Sequence, residues 1–138
     1  MADSKLHPAT TVTNIKTTIP IILDFESAQY INWATIFKLH TRANLVIDHI
    51  IPSTADAAAK DAAARKEADP TLWNRLDDIV LQWIYGTISN DILNTIIEQE
   101  DKAADAWKRL EDLFQDNKAA RAIHLERVFL MSMLTLNA

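Results

Sequence analysis

The chain of 138 residues has the length of one domain, and its 49 % hydrophobic content is enough to fill a core. One glycine and four prolines are too few for an all-β sandwich, which needs frequent turn signals, so an all-α fold is expected. A net charge of −5 disfavours tight nucleic-acid binding, and the lack of cysteine excludes disulfides, thiolate metal sites and cysteine nucleophiles.

Residues 1–18 are polar, threonine-rich and aperiodic, which predicts a flexible N-terminal arm; without a continuous apolar core they are no signal peptide. Residues 19–138 are expected to form the helical domain. It opens with IPIILDF (19–25), five apolar residues in seven, an extended segment that packs on the body or pairs with a neighbour. Ser27 is the expected N-cap of a helix from about Ala28 to Ala43, with Tyr30, Trp33, Phe37 and His40 along one stripe and Ile36 widening it. Asn44 ends that helix, and Leu45, Val46, Ile47, Ile50 and Ile51 form a short apolar turn or helix that stops before Pro52.

The alanine-rich stretch 55–69 has high intrinsic helicity, helped by Asp56–Lys60 and Asp61–Arg65 four apart. Alanine buries little area, so this helix has weak reason to dock and reads as a surface insertion, with an exposed spacer or lid as the alternative. Asp69 and Pro70 open the next helix as N-cap and N1. Its stripe of Trp73, Leu76, Val80 and Trp83 carries no convergent polar groups, so the tryptophans are core braces, while Asp77, Asp78 and Gln82 are expected to face outward. Gly86, the only glycine, suits a left-handed helix end. Ser89 caps a short helix through Ile92, Leu93, Ile96 and Ile97. Another begins near Asp101 with Ala103, Trp107, Leu110 and Phe114 in its seam. A last one, from about Ala119 to Leu136, buries Leu125, Val128, Phe129 and Ser132.

No run approaches the length of a membrane span, and a soluble, cytoplasmic protein is expected. His7, His40, His49 and His124 show no metal-ligand spacing, and His40 reads as a partly buried packing residue. The acidic pairs Asp77–Asp78, Glu100–Asp101 and Glu111–Asp112 read as solvated surface rather than as carboxylates converging across a cleft. There is no phosphate-cradling loop and no nucleophile elbow, so no catalytic, cofactor-binding or metal residue is assigned and no enzyme is expected. Lys108, Arg109, Lys118, Arg121 and Arg127 are interleaved with Glu111, Asp112, Asp116 and Glu126, which favours surface salt pairing over an RNA track.

Taken in order, YINWATIFKLH, NLVIDHI, DPTLWNRLDDIVLQWIYGTIS and KAADAWKRLEDLFQDNKAARAIHLERVF resemble the Gag polyprotein of copia-type LTR retrotransposons, particularly plant elements. The matching positions are Tyr30 and Trp33, then Trp73, Asp77, Trp83, Ile84, Gly86, Ile88 and Ser89. They continue with Ala103, Trp107, Leu110 and Phe114, and close with Arg121, Leu125 and Phe129, over about residues 19–136. The resemblance implies a capsid N-terminal-lobe-like bundle of about five to six helices that assembles into virus-like particles packaging element RNA. A full Gag would continue into a second capsid lobe and often a Cys/His zinc knuckle, which this sequence lacks, and the 55–69 stretch is not part of the pattern. The chain therefore reads as an excised lobe or a truncated, domesticated Gag.

The expected partner is the chain itself, as a dimer or larger homo-oligomer. FLMSMLTL spreads apolar residues around most of a helix, so Leu130, Met133 and Leu134 are interface candidates, with Ile19, Ile21, Ile22 and Phe25 as a second set. The expected core braces are Trp33, Phe37, Trp73, Leu76, Trp83, Trp107, Leu110, Phe114, Leu125 and Phe129. The alternatives are a monomer with both segments folded back, an adaptor that binds a host peptide in a groove between helices, and, more weakly, an RNA-binding domain.

Overall fold

A helix of 17 residues, Pro70–Gly86, organises the fold, and local sequence sets its start. In the computed structural model, which describes residues 7–26, 29–52, 54–115 and 130, the Asp69 side chain accepts from the Leu72 N–H at 3.0 Å and Pro70 fills the first turn. In chain order the helices are α1 (Ile15–Thr18), α2 (Tyr30–Ala43), α3 (Asp56–Ala68), α4 (Pro70–Gly86), α5 (Asn90–Ile96) and α6 (103–115). Short 3-10 turns span Pro8–Thr11 and Ile47–His49. No strand occurs among the described residues, so the fold is all-α as the composition requires. The chain divides into two compact units, Met1–Lys108 and Arg109–Ala138. Of the second unit, helical residues 109–115 and an exposed, helical Leu130 are described.

The core of the first unit is aromatic. Trp33 and Phe37 are fully buried on α2, and with Trp107 they form a triangle with ring centroids 5.0 to 5.4 Å apart. Such offset and tilted pairs add about 0.5–1.5 kcal/mol each beyond the area they bury. Trp83, also buried, meets the edge of His40 at 4.4 Å. Val80, Ile84, Ile92 and Ile96 complete the apolar interior.

The expected extended segment at 19–25 is present, tied down by a parallel bridge between Leu23 and Ile88. The Leu23 N–H donates to the Thr87 carbonyl at 2.9 Å, and the Ser89 N–H donates to the Leu23 carbonyl at 2.7 Å. Ile19 and Leu23 are fully buried on it. Thr87 connects three elements: its hydroxyl accepts from the Trp33 indole N–H at 3.1 Å and donates to the Trp83 carbonyl at 2.8 Å. Ser89 then caps α5, as expected from its spacing.

Two local expectations need correction. Residues 7–18 are not a loose arm: the turn at Pro8–Thr11 and α1 both pack on α4, and Ala9 is buried. No helical period announces them, because the turn is capped locally, with His7 Nδ1 accepting from the Ala9 N–H at 3.1 Å. Gly86 is not a left-handed helix end; it is the last helical residue of α4, and no glycine has positive φ. Among the described residues, left-handed backbone occurs instead at Glu100, at φ 55°, and at Leu45, at φ 61°. It follows Asn44 in a complete Schellman motif, with Leu45 N–H donating to the Arg42 carbonyl at 3.1 Å and Val46 N–H to the Thr41 carbonyl at 2.8 Å. Buried Val46 anchors that reversal, which overrides the preference for glycine.

Candidate functional site

Among the described residues, two buried polar side chains, His49 and Asp77, meet where α4 packs on the Ile47–His49 turn. Asp77, expected to face outward, is buried at 8 % exposure. One carboxylate oxygen accepts from His49 Nδ1 at 3.0 Å, and the other accepts from the Ala103 N–H at 3.1 Å. Ala103 is the first residue of α6, so Asp77 caps that helix from a different element. A carboxylate opposite Nδ1 fixes that nitrogen as the donor of the imidazole.

The outer side of the cluster is closed by Trp73, one turn before Asp77, whose ring lies 4.1 Å from that of His49. Trp73 is half-buried, a cover rather than the deep brace expected of it. Above it, the Arg65 guanidinium of α3 stands 6.0 Å from the indole centroid. Arg65 also pairs with Asp48 and, at 3.2 Å, with Asp61. The hydrogen bond with Asp48 is the main cause of its raised pKa. His7 lies within electrostatic reach: burial first, then repulsion by His49 and Arg65, lowers its pKa from 6.5. Asp77, His49, Trp73 and Arg65 thus link three helices and a turn. With the His49 side chain only 1 % exposed and both Asp77 oxygens engaged, the arrangement fastens helices together.

His40 is buried, as a packing residue would be. The Asn44 amide stands 3.3 Å from its Nδ1, and its Nε2 has no hydrogen-bond partner among the described residues. Desolvation lowers its pKa. Among the described residues, no group of three or more His, Cys, Asp or Glu is placed to hold a metal ion.

The residues singled out in the sequence distribute as follows. Trp33, Phe37, Leu76, Trp83, Trp107 and Leu110 are buried, while Trp73 and Phe114 are half-buried. Ile19 has no exposed surface and is withdrawn as an interface residue, because the Leu23–Ile88 bridge draws its segment into the core. Ile21 and Phe25 are half-buried, Ile22 is 40 % exposed and Leu130 is 57 % exposed. Leu125, Phe129, Met133 and Leu134, together with Ser27 at the expected cap, lie outside the described residues.

Asp77, His49, Arg65 and Thr87 carry structural roles not anticipated from the sequence. Asp77 was partly legible: at 100° per residue it falls just beyond Ile84, at the edge of the stripe formed by Trp73, Val80 and Ile84. Among the described residues, no helix is long and apolar enough to cross a membrane. No protein-family model, curated protein or solved structure significantly matches the chain.

Proposed function

We propose that this chain is a structural lobe of the Gag type found in copia-like LTR retrotransposons, working through homotypic protein contacts in particle assembly. The observation that carries the reading is where the resembling residues fall. Trp33, Trp83, Ile84, Ile88, Ala103 and Trp107 are core, and Asp77 and Ser89 are helix caps. A pattern spent on interior packing and helix ends suits a building block, whose work is done by its outer faces. The large apolar residues left exposed include Ile22, Ile31, Leu39, Leu45 and Leu130. The lobe is no enzyme, uses no cofactor, acts in the cytoplasm and binds RNA weakly by itself, since its net charge of −5 repels phosphate.

The adaptor reading needs a groove open to a peptide strand. The Leu23–Ile88 pairing places the chain's own segment beside the start of α5, which disfavours that reading. The deciding experiment is mass by light scattering from micromolar to millimolar concentration, followed by electron microscopy of the concentrated sample. Concentration-dependent growth into regular assemblies supports the proposal. A monomer throughout that captures a defined host peptide would overturn it in favour of the adaptor.

A further inference from the structure

Resting on that reading, we infer that copies associate head to tail, the outward face of α2 on one copy meeting the acidic connection from α5 into α6 on the next. The first surface follows from helix geometry. On α2 the buried residues Trp33, Ala34, Phe37 and Thr41 occupy one side. At 100° per residue, Ile31, Thr35, Lys38, Leu39 and Arg42 fall on the opposite side, and all are exposed. Ile31 retains 71 % of its surface and Leu39 55 %. Lys38 and Arg42 are basic, and α2 contains no acidic residue.

The complementary surface lies in the same compact unit. Residues 97–105 read IEQEDKAAD, four acids and one lysine, hence a net charge of −3. Glu98, Glu100 and Asp105 are exposed, and the apolar Ile97 among them is 51 % exposed. Each surface therefore pairs uncovered aliphatic side chains with one sign of charge, and the signs are opposite. A second copy of the chain is the occupant that both patches fit at once. Because the surfaces differ, the contact is heterologous, and such contacts propagate into rings or open arrays rather than stopping at a dimer. Opposed charges steer the encounter and set its register, while the aliphatic residues supply buried area.

Charge reversal on the full chain tests this. One variant carries Lys38→Glu and Arg42→Glu; the other carries Glu100→Lys and Asp105→Lys. Far-UV circular dichroism and a thermal melt establish that each is folded. Sedimentation velocity across concentration should show each variant associating about tenfold or more weakly than the native chain, whose own association weakens with added salt. Mixing the two variants should restore association, since every contact in an alternating array again joins opposite charges. A chain carrying all four changes should likewise assemble alone. If the native chain associates but both variants follow the same curve within twofold, this contact is wrong and homotypic assembly stands. Failure of the mixture to associate also overturns the contact. If the native chain stays monomeric at every concentration, the lobe reading itself falls, and this inference with it.

Discussion

Replacing Asp77 by alanine strands two buried donors at once, the His49 Nδ1–H and the Ala103 N–H. A buried donor left without a partner costs about 1–3 kcal/mol, so the pair sets a range of about 2–6 kcal/mol. The Asp77 side chain keeps 11 % exposure, which lets water take over part of the lost bonding and argues for the lower half, about 3 kcal/mol. Asp77→Asn retains one acceptor oxygen but turns an N–H₂ toward a donor, and should cost about half as much. Urea unfolding followed by tryptophan fluorescence measures both, with the m-value unchanged if only native contacts are lost. The coupling is separable. In a His49→Phe background, which keeps a ring against Trp73, Asp77→Ala should cost about 1 kcal/mol less, because one stranded donor is already gone. A loss below about 1 kcal/mol for Asp77→Ala in the native background would mean that the carboxylate caps nothing, and the outward-facing reading would return.

Leu45→Gly is expected to stabilise by about 1 kcal/mol, since the left-handed backbone at φ 61° penalises a side chain that is itself 63 % exposed; a lower melting point would refute the motif. Gly86→Ala is expected to stabilise by about 0.4–1 kcal/mol, because a Cβ there meets Ile15 at an ordinary 3.7 Å in a helical backbone; urea denaturation showing a loss would place glycine-only geometry at that site after all. His40 has a folded pKa below 6.5, so its contribution is fully present above that value and is lost as pH falls through the folded pKa. Melts from pH 8 to 5 should decline less steeply for His40→Leu, and an identical slope would remove His40 as the cause. Arg65→Ala should cost only about 0.5–1 kcal/mol globally, its side chain being 46 % exposed, yet speed amide exchange across residues 56–68; unchanged protection there would show that α3 is held some other way.

Helix positions and caps were readable from sequence where the signal was local. Asp69–Pro70 and Ser89 cap as their residue types demand, and the 3.6-residue spacing located Trp33, Phe37, Trp83 and Trp107 in the core. What escaped was decided by tertiary context. A leucine occupies a left-handed position because Val46, the next residue, must enter the core, a constraint no propensity scale contains. The turn at Pro8–Thr11 is too short for periodicity and is held by packing on α4. Helix α3 buries no residue, as its alanines suggested, but Arg65 gives it an attachment through Asp48 and the face of Trp73. That attachment depends on the Ile47–His49 turn lying beside α4, which no local window of sequence could reveal.

The same structure determines where folding and assembly can be told apart by mutation. On α2 the packing residues and the proposed contact lie on opposite sides of one cylinder: Trp33 and Phe37 inward, Ile31, Lys38 and Arg42 outward. Substitutions on the outer side alter exposed side chains, so with folding checked a change in association there reports on contact. The segment 19–25 offers no such separation. Buried Ile19 and Leu23 alternate with half-buried Ile21 and Phe25, and its backbone is hydrogen-bonded at Thr87 and Ser89. Ile22, 40 % exposed, stands next to the Leu23–Ile88 bridge, so contact and packing are not separated there. Loss of association on mutating that segment would therefore be uninterpretable without a matched loss of stability measured on the same variant. The outward face of α2 is the place where homotypic contact can be tested cleanly, because there the residues that would bind are not the residues that fold.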